Sequence, residues 1–304
     1  LQRELAGRLN VPWEDFAKIS PDYCRKFLLD YDSLGADYRY ASSFTAQELE
    51  IIDKKIDTYM EAKATNSEIP HVLVDRFRFD SFMPAPYQKP GGTLLSRFAD
   101  TVYLFFMITP PEDTVERAWQ RGLKTGRYKA LDDMLHFNIE ANIGMPQLFF
   151  NWVKKTNQKI HFEFLDNDVP HGERPKTVAF GWNGEITVLD TDCMRRLNSY
   201  RDVNVEATRP QDVYLEPSGR NDDLLKTLID KIPSVAFVDP VSSTPLARIE
   251  GGKCVSEADG FLESISLSDV VADDSQRIDD IKGGQTKINI AEQKKFTIGV
   301  WPEA

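Results

Sequence analysis

The chain has 304 residues, 41% of them hydrophobic and 28% charged, with a formal net charge of -11. Such a length buries a sizeable core and accommodates two domains or one large one, and the composition is that of a soluble globular protein. The acidic balance argues against general binding to a nucleic-acid backbone or an anionic membrane surface, and no apolar run approaches the roughly 20 residues that span a bilayer.

Residues 1–10 carry Leu1, Leu5 and Leu9 at i, i+4 and i+8, the pattern of an amphipathic helix, with no capping residue ahead of it. With no initiating Met and no secretory h-region, the expectation is a piece of a longer product that starts inside an element. Next, Ser20 stands ready to cap a helix running on from Tyr23, with Pro21 at its first position. Residues 45–63 form the clearest helix, opened by a Thr45…Glu48 capping box and striped by Leu49, Ile52, Ile56 and Tyr59. Residues 71–75 (HVLVD) and 101–108 (TVYLFFMI) are apolar runs too continuous for a one-sided strand, so both read as buried strands. A basic segment follows, then a helix over 131–153 and a third strand at 160–165. Strands alternating with helices argue for an α/β fold with a parallel sheet whose ligands bind at the carboxyl ends of the strands. On that rule Asp75, Arg76 and the loop after Ile108 face the site.

Composition changes after residues 170–175. Residues 177–190 read as a hairpin around Asn183-Gly184, the strongest short turn signal. Short strands at 235–238 and 246–249, an acid-rich stretch at 269–280 and a Gly283-Gly284 break complete a mostly β-and-loop region, its acidic part a mobile loop. The division expected is therefore a core over 1–170 and a β-rich C-terminal extension over 171–304. Cys24, Cys193 and Cys254 are far apart, which suits a reducing compartment and neither a disulfide framework nor a metal cage. His71, His136, His161 and His171 lack the paired spacing of a zinc site.

Residues 115–130 (VERAWQRGLKTGRYKA) concentrate Arg117, Arg121, Lys124, Arg127 and Lys129 in an otherwise acid-rich chain. Helical spacing puts Arg117, Arg121 and Lys124 near one face, and Gly126 can end the helix so that Arg127 enters from a loop. Forked guanidiniums match the oxygens over which charge spreads in phosphoryl transfer. The competing reading is a solvated helix face paired with Glu112, Asp113 and Glu116. Asp22 and Arg25 lie three apart at a helix start, a carboxylate to accept a hydroxyl proton and a cation to grip phosphate or sugar. Their alternative is a carboxylate favoured by the helix dipole and a surface arginine. Asp75 ends a buried strand, as a magnesium-holding carboxylate or a turn former. Arg76, Arg78 and Asp80 alternate with Phe77, Phe79 and Phe82, so one set needs a ligand or a salt bridge. His136 reads as a packed or surface residue, and Trp119 and Trp152 as core or groove aromatics.

Four strings together resemble the zeta-toxin family of P-loop small-molecule kinases. They are ISPDYCR from Ile19, the helix of 45–57, IPHVLVDRFRFDSF from Ile69 and TPPEDTVERAWQRGLKTGRYKA from Thr109, a likeness covering residues 1–165. It implies a P-loop-kinase-like parallel sheet and transfer of the γ-phosphoryl group of ATP, with Mg2+, to a hydroxyl of a nucleotide-linked small molecule. UDP-amino sugars are the familiar acceptors, and related kinase-fold bacterial effectors act on NAD. Carried over, Asp22 resembles the general base, Arg117 and Arg127 the lid arginines, and Arg25, Arg76, Arg78 and Arg121 the substrate-side groups. Asp75 resembles the strand-end magnesium or substrate carboxylate. The likeness also implies a cytoplasmic protein, or a secreted effector acting in a host cytosol, with an antitoxin or chaperone as protein partner and neither nucleic acid nor membrane. One departure stands out: the G-x-x-x-x-G-K-[ST] loop that cradles the phosphates occurs nowhere in the 304 residues. The expectation is that it lies just upstream of Leu1 and that this piece alone catalyses little. A non-catalytic, kinase-like binding module is the rival reading.

Overall fold

The computed structural model describes residues 2–20, 24, 27–28, 51–52, 55, 58–59, 62, 71–75, 101–126, 128–154, 158–216 and 223–268. The chain divides into two compact units. One comprises Leu1–Asp100, Thr109–Asn151 and Tyr200–Glu216, the other Thr101–Ile108, Trp152–Ser199 and Pro217–Ala304. Of the expected features, the Thr45…Glu48 capping box, Arg76, Arg78 and Asp80, the acid-rich stretch and the Gly283-Gly284 break lie outside the described residues.

In the first unit, helix α1 (Gln2–Arg8) leads through a short 3-10 turn into strand β1 (Phe16–Ile19). β1 pairs in parallel with β2 (His71–Val74), Phe16 opposite His71 and Ile19 opposite Val74. Trp13 stacks near Phe16 and Phe16 near His71, with ring centroids 6.4 Å and 5.8 Å apart, and the Lys18 ammonium lies 4.2 Å from the Trp13 ring centroid. Helix α2 (Pro111–Thr125) starts where Pro111 needs no amide donor and ends at Gly126, whose φ of 73° is open to glycine without a Cβ clash. Helix α3 (Leu131–Trp152) contains Pro146, which removes the amide that Asn142 C=O would otherwise receive. A strap over residues 200–216 completes this unit. Its Val203, Ala207 and Val213 bury against Leu135 of α3, with Val115 of α2 and Ile139 packed around them.

The second unit is built on a seven-stranded sheet in the order β3-β4-β5-β6-β7-β8-β9. The strands are β3 (Thr101–Ile108), β4 (Lys159–Asp166), β5 (Lys176–Trp182), β6 (Glu185–Val188), β7 (Ser234–Val238), β8 (Pro245–Glu250) and β9 (Lys253–Glu257). Along β3, Val102, Leu104, Phe106 and Ile108 are buried and alternate with partly covered residues. Phe106 stacks on Phe164 of β4 with centroids 4.7 Å apart, and Trp152 is among the most deeply buried side chains. Helices α4 (Thr191–Ser199) and α5 (Leu224–Lys231) pack on each other and on β5 and β7, and α6 (Phe261–Ser264) sets Phe261 against Phe237.

The protein is thus mixed α/β, and its seven-stranded sheet is mixed: the parallel neighbours β3 and β4 are continued by strands of the β-rich C-terminal region. Only β3–β4 and β6–β7 are parallel in this sheet; the other four pairings are antiparallel. Connection length explains the difference. A parallel neighbour needs a crossover of about a dozen residues or more, whereas a short loop returns the chain alongside itself. α2 and α3 join β3 to β4, and α4 and α5 lie between β6 and β7, while nine residues link β4 to β5 and two link β5 to β6. The sheet also runs unbroken across the composition change near residue 170, and the region read as β and loop carries α4 and α5. Both helices are short, α5 burying Leu224, Leu225, Leu228 and Ile229 at helical spacing, and each is capped. Asp190 accepts the Cys193 N–H at 2.8 Å, and Asp223 accepts the Leu225 N–H at 2.9 Å.

Candidate functional site

Because β1 and β2 run parallel and in step, their carboxyl ends lie side by side. The Asp75 N–H donates to Ile19 C=O at 2.9 Å, which sets Asp75 beside the residue that begins ISPDYCR. Ser20 C=O then accepts the Cys24 N–H at 3.0 Å, the first bond of a helical turn that buries Cys24. The Asp75 side chain is exposed. Asp22, Arg25, Arg76, Arg78 and Arg127 lie outside the described residues, so Asp75, Arg117 and Arg121 are the expected site residues that can be placed.

α2 buries Ala118 and Gly122 and turns Arg121 and Lys124 outward, with Arg117 partly covered between them and the core side. Arg117 Nη2 lies 3.4 Å from Asp113 Oδ2, one turn back, with the two side chains 28% and 37% exposed. That is the ion pair anticipated in the solvated-face reading, made by a guanidinium that is only partly covered. Gly126 ends the helix as expected, its N–H donating to Gly122 C=O at 2.7 Å. Trp119 departs from expectation: it is 53% exposed and leans on Tyr128 instead of filling a core, because it sits on the flank of α2 away from Ala118. His136 is exposed, its Nδ1 3.0 Å from Asp132 O.

Sequence reasoning missed the strap. The Tyr214 hydroxyl donates to the Glu112 carboxylate in the first turn of α2, and Asn142 Nδ2 donates to Tyr200 C=O at 3.4 Å. Burial, then the bond to Glu112 and that carboxylate's charge, push the Tyr214 phenol well above its ordinary value. The alternation of Val203, Val205 and Ala207 was the one available signal, and nothing in it says that residues so far along the chain return to α2.

A second strand-end carboxylate, Asp166, belongs to the other unit. It is 8% exposed, accepts the Asp168 N–H at 2.9 Å and pairs with Arg196 at 3.3 Å. Beside it, the buried Cys193 thiol is pushed up to about 12, chiefly by burial and then by the Asp166 charge, with Arg196 opposing. Such a thiol is a packing group and no nucleophile at neutral pH. Thr177 of β5 donates to the buried Glu163 carboxylate of β4, and burial, followed by Lys159, lowers the His161 pKa. Among the described residues no group of three or more His, Cys, Asp or Glu is arranged to hold a metal ion. An exposed single carboxylate such as Asp75 still suits magnesium, which keeps several waters and takes one or two carboxylates plus phosphate oxygens. No described helix is long and apolar enough to cross a membrane. No family model, curated protein or solved structure matches the chain.

Proposed function

We propose that this chain belongs to an ATP-dependent small-molecule kinase of the zeta-toxin type, with residues 1–170 contributing to a P-loop-kinase-like core. The observation that carries the reading is the flush carboxyl edge of β1 and β2, with exposed Asp75 hydrogen-bonded to Ile19 and the ISPDYCR turn starting at the next residue. Asp22 follows Ser20 by two residues, so about 7 Å of chain at most separates their Cα atoms. A carboxylate within that reach takes the proton from a substrate hydroxyl. Arg117 and Arg127 neutralise the charge that moves with the phosphoryl group, and Arg25, Arg76, Arg78 and Arg121 hold the substrate's phosphates. Asp75 would hold Mg2+, which would supply positive charge to the phosphates of ATP. The acceptor class is a nucleotide-linked hydroxyl compound, such as a UDP-amino sugar or NAD, and the site of action is the cytosol, of the producing cell or of a host.

The reading requires a phosphate-cradling loop in the full-length protein, and a full-length sequence without one rejects it. The decisive assay uses full-length protein, labelled ATP and a panel of nucleotide sugars and dinucleotides. Asp22→Asn is expected to abolish transfer while sparing ATP affinity; unchanged turnover refutes the assigned base.

One observation favours a second reading: the 304 residues contain no such loop. In that case the scaffold grips a protein, such as an antitoxin or chaperone, or a nucleotide without chemistry. Native mass spectrometry showing a tightly held partner, together with no transfer by full-length protein, selects this reading.

A further inference from the structure

Helix α2 buries one side in its own unit and gathers apolar side chains on the other. Trp119 and Leu123, one turn apart, are each more than half exposed. The Trp119 ring does not swing loosely, because the Tyr128 ring stands against it with centroids 5.2 Å apart and itself packs over Gly122. At the opposite end of the helix the strap adds two more exposed apolar residues, Tyr214, whose hydroxyl donates to Glu112, and Leu215. Single exposed apolar residues are ordinary, whereas a gathered set held in place marks a contact surface.

Charge along α2 is divided end from end. Glu112, Asp113 and Glu116 stand in the first two turns, Arg121 and Lys124 in the last two, and Arg117 between them is paired back to Asp113. Gln120 Nε2 donates to Glu116 Oε1 at 2.8 Å, which holds that carboxylate on the exposed side. At 3.6 residues per turn, Trp119, Leu123, Glu116 and Gln120 share a sector of about 100°, with Lys124 at its edge. Arg117 and Arg121 fall about 160° and 200° round the helix from Trp119, on the far flank.

We propose that this sector docks a second copy of the chain, with the two α2 helices antiparallel about a two-fold axis near Gln120. Glu116 and Lys124 lie four residues to either side of Gln120, about 6 Å along the helix each way. Reversing one helix against the other brings Glu116 of each copy level with Lys124 of the other, and the symmetry makes that pair twice. Parallel helices would instead set acid beside acid and base beside base. A purely acidic or purely basic partner would complement half of α2, and a second copy complements both halves. With a net charge of -11 two copies repel each other in general, so they meet best where the sign alternates. Trp119 and Leu123 supply the apolar centre, and the polar pairs supply direction. The inference does not rest on the kinase reading, since Arg117 and Arg121 stay outside the contact.

Sedimentation equilibrium of full-length protein over about 1–100 μM tests it, with a reversible monomer–dimer equilibrium expected in that range. Trp119→Ala is expected to raise the dimer Kd at least about a hundredfold, because the ring is lost from both sides of the axis. Glu116→Lys and Lys124→Glu, each alone, are expected to raise it about tenfold, and the double variant to return it to within about threefold of wild type. Residues eight apart lie about 12 Å apart along one helix, so that rescue cannot arise within a single copy. All three side chains are exposed, and circular dichroism checks that each variant keeps the wild-type fold. A wild-type protein that stays monomeric over the whole range overturns the proposal, as does a dimer indifferent to Trp119→Ala. A double variant no tighter than the single reversals overturns the antiparallel arrangement.

Discussion

Replacing Arg117 by Ala separates the two meanings of the basic helix. Structurally, the residue makes an i,i+4 ion pair with Asp113 at 3.4 Å between side chains 28% and 37% exposed. Such a pair contributes about 0.3–0.5 kcal/mol, and Ala is the stronger helix former, so the melting temperature of this unit should move by no more than about 2 °C. A guanidinium that meets charge as it develops on a transferred phosphoryl group is worth far more. Loss of one such donor costs about 10²–10³-fold in turnover, or roughly 3–4 kcal/mol at 1.36 kcal/mol per decade. The two roles thus differ by nearly an order of magnitude in free energy. Asp113→Ala is the control, since it breaks the same pair but keeps the guanidinium. The expected pattern is a stability change below about 1 kcal/mol for both variants, with turnover lost in Arg117→Ala and retained in Asp113→Ala. Denaturant titrations and initial-rate phosphotransfer measure the two sides. Turnover within about twofold of wild type in Arg117→Ala, or an equal loss in both variants, refutes the catalytic assignment.

Tyr214→Phe removes the hydroxyl bound to Glu112 on a residue that is 40% exposed, and should cost about 1 kcal/mol in a denaturant titration. Phe164→Ala vacates a fully buried site stacked on Phe106, and should cost about 3–5 kcal/mol in the same titration. The Cys193 thiol rises from an ordinary 9.0 to about 12 on folding, so the native state holds this proton more tightly. Its stabilising effect is complete below pH 9 and is lost as pH climbs toward 12, at about 1.4 kcal/mol per pH unit within that window. Wild-type stability should fall more steeply than that of Cys193→Ala between pH 9 and pH 11; parallel curves contradict the assignment.

The elements legible in advance were those whose signal is local. The apolar run TVYLFFMI is buried on alternating positions with partial cover between them, and it forms β3 over its whole length. Asn183 takes the positive φ of 41° that a tight turn asks for, and Gly126 the αL conformation that stops α2. What escaped notice depends on partners remote in sequence. β1, reading FAKI, has one buried residue and a lysine, and becomes a strand because β2 lies beside it. β9 is an edge strand with no buried residue, held by its hairpin to β8. The return of the strap to α2 and α3 is a long-range closure that no window of residues encodes. Trp119 misled for the opposite reason: hydrophobicity forecasts burial, and here the ring leans on Tyr128 at the surface.

Both parallel pairs with a strand-end carboxylate obey the rule that chemistry gathers at carboxyl ends, yet they are not equivalent. Asp166 ends β4 against the neighbouring β3, but Arg196 and the Asp168 amide already occupy its oxygens, and it is almost wholly buried. A ligand there would have to displace a guanidinium from an almost wholly buried carboxylate, a cost that argues for a scaffold role. Asp75 ends β2 exposed, beside a helical turn that starts one residue after β1. An exposed carboxylate meets a cation or a substrate without the burial that closes off Asp166. This asymmetry directs substitution experiments to the first unit. Asp75→Asn should weaken magnesium-dependent transfer, whereas Asp166→Asn should lower stability and leave the magnesium dependence of transfer intact. The reverse outcome would move the active site to the seven-stranded sheet and overturn the assignment of Asp75.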